Sequence, residues 1–88
     1  MEEKLSHQTL LANIAKAAEQ IIIGSEYKHY KSPDTYKVIG LGILEATQKV
    51  CVMYQPQNSS DLTFLRPADE WLDNVEWEGS TVKRFTKL

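Results

Sequence analysis

Residues 36–45 read YKVIGLGILE, and this stretch decides the fold. Alternation divides its apolar side chains into two sets: Tyr36, Val38 and Leu44 on one side, Ile39, Leu41 and Ile43 on the other. Both sets are apolar, so the stretch reads as a strand with cover on both faces. Gly40 and Gly42 share one side. Glycines there permit a sharp bend or a close backbone approach, which small barrels need.

Outward from this strand, Ala46-Thr47-Gln48 reads as a hairpin loop. A second strand follows over 49–55, with Val50, Val52 and Tyr54 on one face. The polar run QPQNSSD at 55–61 is a flexible loop. Leu62 to Leu65 is a further strand, ended by Arg66-Pro67. Pro67 to Leu72 has proline first and acids next, the composition of one helical turn. Val75 and Trp77 alternate with Glu76 and Glu78 in a half-buried strand, with Trp77 a core anchor. The last strand spans 82–88. On the other side, Tyr27 and Tyr30 frame a short strand that ends at Lys31-Ser32-Pro33-Asp34, a turn.

The period changes near Gly24. Before it, Leu10, Ile14, Ala17 and Ile21 recur at helical spacing, and Leu11, Ala18 and Ile22 extend that face. The spacing predicts a helix at about 7–22, capped by Ser6 and stopped by a left-handed Gly24. Its apolar face suits packing on the domain's own sheet, pairing with a second copy, or the surface of a membrane. Few lysines and no apolar-face aromatic speak against the last.

One helix followed by five or six short strands must hide its strand edges. The remaining chain is short for a seven-stranded sandwich. The expected fold is mainly β: a small SH3-like β-barrel over 24–88, preceded by one N-terminal α-helix within 1–23. The helix packs on the domain or on a partner.

Composition narrows the function. The chain has 88 residues, 42% hydrophobic and 25% charged, with a formal charge of −2. That balance gives no general pull towards nucleic acid or an anionic membrane. One cysteine and two histidines exclude an internal disulfide and an all-Cys/His zinc site. The expectation is no metal and no cofactor. Glu2 and Glu3 oppose a secretory leader and no apolar run approaches a membrane span, so the expected compartment is the cytoplasm. Cys51, between Val50 and Val52, is expected to be buried and inert.

The words of the sequence from Gly24 onward resemble the DUF1653 family of short bacterial and phage proteins. Gly24, Tyr27, His29, Lys31, Tyr36 and Val38 match its opening, and Thr47, Val52 and Tyr54 its middle hairpin. Phe64, Arg66, Pro67 and Trp71 match its aromatic and Arg-Pro segment, and Gly79, Arg84 and Phe85 its close. The chain departs from the pattern at Leu44 and Ala46, where relatives often carry histidine and glutamate. It also lacks the usual Leu-Tyr-Gly after the third strand, and has Phe64 where tryptophan is commoner. The resemblance implies a compact β-rich domain and carries no activity with it.

The candidate site residues are Tyr27, His29, Tyr36, Arg66, Trp71 and Arg84. Histidine serves as base, ligand or neutral donor, but no nucleophile motif surrounds His29, so no catalytic residue is assigned. Arg66 and Arg84 carry planar forks for carboxylate or phosphate, or else clamp Asp69, Asp73 or Glu76. Tyrosines interleaved with basic residues are the materials of a nucleic-acid surface. Trp71 is a core anchor or a groove aromatic for a peptide. The function expected is a small non-catalytic binding module for a peptide, a protein partner or RNA. The alternative is a structural or homo-oligomeric accessory protein, monomer or homodimer, recognised through its helix.

Overall fold

The computed structural model describes residues 4–59 and 61–88. Helix α1 covers His7–Gln20. Ser6 caps it: the hydroxyl oxygen accepts the Thr9 N–H at 3.1 Å. The helix stops short of the expected end because β-branched Ile21 turns extended, at φ −116° and ψ 105°. Gly24 does adopt φ +89°, but beyond the helix end. Its N–H donates to the Val38 carbonyl at 2.8 Å, and the Val38 N–H donates to Ser25 at 3.1 Å. The glycine therefore fastens the post-helix turn to the long strand and does not cap the helix.

The strands are β1 (Glu26–His29), β2 (Thr35–Leu44), β3 (Lys49–Pro56), β4 (Phe64–Pro67), β5 (Asn74–Trp77), β6 (Ser80–Lys83) and β7 (Phe85–Lys87). Helix α2 is the short Ala68–Trp71. Five strands form an antiparallel sheet in the order β4-β3-β2-β1-β7, and β5 and β6 form a separate hairpin. The fold is thus mainly β with an N-terminal helix, as expected, but the pairing does not close. Among the described residues no ladder joins β4 to β7, so the sheet is open with two edges. The last expected strand is also divided. Arg84 leaves the ladder, donating its N–H to Asp73 at 2.9 Å and accepting from the Tyr30 N–H at 3.0 Å.

A bulge between Val38 and Gly40 reorganises β2. Val38 faces Tyr54, whereas Leu41 faces Val52 and Ile43 faces Val50. Leu41 and Ile43 therefore join Tyr36 and Val38 on one inner face, and strict alternation placed them apart. On the outer face a Cβ at Gly40 would stand 2.9 Å from the Met53 Cε, and one at Gly42 3.7 Å away. The methionine lies over the glycines, which is the close approach they permit. Cys51, opposite Gly42 and Pro67 on the neighbouring strands, is buried as expected.

The core contains Ala17 and Ile21 from α1, Tyr27, Val38, Val52 and Tyr54 from the sheet, Ala68 and Trp71 from α2, and Phe85. Leu10 and Ile14 are half-buried, while Leu11 and Ile22 are exposed, so the helix buries a narrower stripe than the sequence offers. Trp77 is half-buried rather than a core anchor. It packs edge-on to Tyr30 at 5.4 Å, with the Lys31 ammonium 5.8 Å from its ring.

Candidate functional site

Register decides which side chains meet. Tyr27 lies opposite Tyr36, and His29 opposite Phe85. Tyr54 lies opposite Phe64, and Val52 opposite Arg66. Side chains two apart on a strand share a face. The pairings therefore put Tyr27, His29, Tyr36, Tyr54, Phe64, Arg66 and Phe85 on the inner face of one sheet. Six of them, all but Tyr27, line an open cleft of about 280 Å³.

The cleft floor is aromatic. Tyr36 meets Tyr54 edge-on at 5.6 Å, and Phe64 lies 5.7 Å from Tyr54. Phe85 contacts the His29 ring at 5.0 Å and stacks on Trp71 at 3.7 Å, nearly parallel at 5°. Trp71 is 1% exposed and Tyr27 4%. Both candidates are thus core residues behind the cleft, Trp71 as the core-anchor reading expected and Tyr27 contrary to its place among the binding residues. The Tyr27 hydroxyl accepts the Ile22 N–H at 3.0 Å and anchors the segment after α1.

The polar groups are basic. One Arg66 amino group (Nη1) reaches Glu70 Oε1 at 3.3 Å, an i,i+4 pair in which Glu70 takes the place of the expected Asp69 or Asp73. The Arg66 guanidinium carbon sits 5.8 Å from the Phe85 ring centroid. The Nε atoms of Arg66 and Arg84 are both buried without a hydrogen-bond partner. No ion pair holds Arg84 among the described residues.

His29 connects the two arginines. Burial, and then the charges of Arg66, Arg84 and Lys31, hold its pKa below the ordinary 6.5. Its Nδ1 accepts the Lys31 N–H at 3.2 Å, leaving Nε2–H as the donor of a neutral ring. No carboxylate is hydrogen-bonded to it among the described residues, so it lacks the orienting partner of a general base. Among the same residues no three His, Cys, Asp or Glu side chains cluster as metal ligands.

Of the six candidates, His29, Tyr36 and Arg66 line one cleft, and Arg84 stands close enough to His29 to act on its charge. Sequence reasoning missed Tyr54, Phe64 and Phe85 as cleft walls. The available signal was the spacing of Phe64 and Arg66, two apart on one strand and so on one face. A larger cleft of about 350 Å³ lies between α1, β3 and α2, with Ala17, Val50, Ala68 and Leu72 in its wall. Its Lys49 is already paired with Asp69 at 3.7 Å. Asn13, Lys16 and Gln20 also line it, but it holds none of the candidate site residues.

An open, antiparallel sheet with an N-terminal helix and a basic aromatic cleft defines a small, mainly β domain. The chain belongs to the DUF1653 family, described as "Protein of unknown function (DUF1653)", whose model matches residues 25–87. A crystal structure of a DUF1653 protein from Bordetella bronchiseptica is similar, with 25% identity and a TM-score of 0.66. That likeness covers 78% of this chain and 90% of the other. No curated protein matches the chain. Among the described residues, no helix is long and apolar enough to cross a membrane.

Proposed function

We propose that the protein is a small non-catalytic binding module whose ligand seats in the cleft of His29, Tyr36, Phe64 and Arg66. The observation that carries this reading is the Arg66 guanidinium, which lies over Phe85 and lines an aromatic cleft open to solvent with only Nη1 paired, to Glu70. A cation so placed favours an anionic ligand, whose acceptors suit its planar fork. The compartment proposed for the protein is the cytoplasm. An SH3-like arrangement remains the architecture we propose, supported by the bulge that bends β2 between Val38 and Gly40. Helix-mediated pairing has less support, since Ala17 and Ile21 of its apolar face already sit in the chain's own core. The test is a ¹⁵N-resolved titration with inorganic phosphate, a mononucleotide and an acidic peptide. Shifts concentrated at His29, Tyr36, Arg66 and Arg84 are expected for at least one probe. Shifts confined to α1, or none at the cleft with any probe, contradict the reading.

A further inference from the structure

We propose that the cleft receives one nucleotide unit of a single-stranded nucleic acid, its base against Tyr36 and Phe64 and its phosphate at Arg66 and Arg84. This rests on the cleft being the binding site. Size gives the first argument. At about 280 Å³ the cleft falls just below the roughly 300–1,000 Å³ of ordinary small-molecule sites. It has room for one ring and one anionic group, so a larger ligand must continue outside it.

Wall chemistry gives the second. Phe64 is 38% exposed and Tyr36 half-buried, so two ring faces at the mouth remain open to stacking. Stacking on such rings is how single-stranded binders hold bases without reading their sequence. Arg66 lines the cleft and gives only Nη1 to Glu70, so a phosphate meets its guanidinium there without displacing the ion pair.

Charge outside the cleft gives the third. The chain is net negative, yet residues 26–44 carry three lysines against two acids. Residues 79–88 carry two lysines and an arginine and no acid. Lys28, Lys31, Lys83 and Lys87 are all exposed, and β7 pairs with β1, so these two segments lie side by side. Of these, Lys87 stands opposite Tyr27 on the face that carries the cleft, so a strand whose one unit fills the cleft meets a further cation along β7. An acidic peptide would use the arginines but leave the ring faces idle. A phosphotyrosine peptide would use both rings and arginines, but it has no repeating charge for the lysines.

The experiment is fluorescence anisotropy with a labelled 12-residue oligouridylate and oligothymidylate at 50 and 200 mM salt. Uridine monophosphate and a phosphotyrosine hexapeptide serve as competitors. The expected result is oligonucleotide binding that weakens with salt, the slope of log affinity on log salt being about −0.7 per phosphate engaged. Arg84→Gln lowers that slope. Phe64→Ala lowers affinity at least about tenfold with the slope kept, as loss of a stacking partner does. Uridine monophosphate as tight as the 12-mer overturns the strand in favour of a free nucleotide. No binding of either oligonucleotide at 50 mM salt, with the phosphotyrosine hexapeptide shifting the cleft resonances in the ¹⁵N-resolved titration, overturns the nucleic acid but leaves the binding cleft standing. If Arg84→Gln and Phe64→Ala, each shown folded by its spectrum, bind the oligonucleotide as the parent does, the cleft itself is the wrong place.

Discussion

The two ends of the sheet's inner face are built from similar strands and end differently. Beneath α1, Ile21, Val38 and Val52 are fully buried, and the side chains in contact are apolar. At the other end, His29, Tyr36, Phe64 and Arg66 stand around an open cleft with two guanidinium Nε–H groups unsatisfied. One end is finished by its own helix. The other keeps donors, charge and ring faces that the chain does not use. A domain this small has little stability to spare, and this contrast is what the proposed binding role accounts for.

The largest expected effect joins the two ends. Trp71 is 1% exposed, stacks on Phe85 and meets Tyr27 and Tyr54 edge-on. Trp71→Ala should cost about 3–5 kcal/mol in a denaturant titration, as large-to-small core changes do. A loss below about 1 kcal/mol would place Trp71 outside the shared core. Next, the helix-covered end should distinguish its own residues. Ile21→Ala removes a side chain with no exposure and should cost about 2–5 kcal/mol. Leu11→Ala, at a position 53% exposed, should cost under about 0.5 kcal/mol. Equal losses would mean that α1 seats by a different face.

These contrasts also show what the sequence made legible. The helix was readable because Leu10, Ile14, Ala17 and Ile21 repeat over several turns. Its exposed Leu11 and Ile22 were not, because the width of a buried stripe depends on the sheet beneath it. Most strands were readable, and so was the buried Cys51, but β4 starts later than expected and runs through Arg66-Pro67, and the last expected strand divides into β6 and β7. The bulge at Val38–Gly40 was not, since a bulge changes pairing without changing composition. Closure failed for a similar reason: whether β4 meets β7 depends on long-range pairing. At the site, basic and aromatic residues were visible as types. Which of them face the cleft was set by register, which put Tyr27 on the inner face beneath the core and brought Phe64 and Tyr54 to the wall, while the short helix α2 carried Trp71 into the core.

A smaller effect probes the open end alone. His29 titrates below 6.5 in the folded chain because of burial, Arg66, Arg84 and Lys31. The unfolded chain therefore takes up that proton first as pH falls. Stability attributable to His29 is full above about pH 6.5, declines as pH falls through the folded-state pKa, and is level below it. Denaturant midpoints at pH 7.5 and 5.5 should differ less for His29→Gln than for the parent. An equal or larger difference in the variant would remove His29 from the cationic cluster.

The most direct measurement is the melting temperature with and without a saturating oligouridylate, for the parent and for a variant carrying both Arg66→Gln and Arg84→Gln. A ligand bound only by the folded state raises stability by about 2.7 kcal/mol at a hundred times its Kd. The parent should show a rise of several degrees. The variant alone should melt within a few degrees of the parent, because the Arg66–Glu70 pair it loses is partly exposed and worth about 0–1 kcal/mol, and the Arg66 contact over Phe85 about 0.5–1 kcal/mol. It should show no rise with the oligonucleotide. A variant that melts like the parent and keeps the full ligand-induced rise would contradict the assignment of the open end as the binding site.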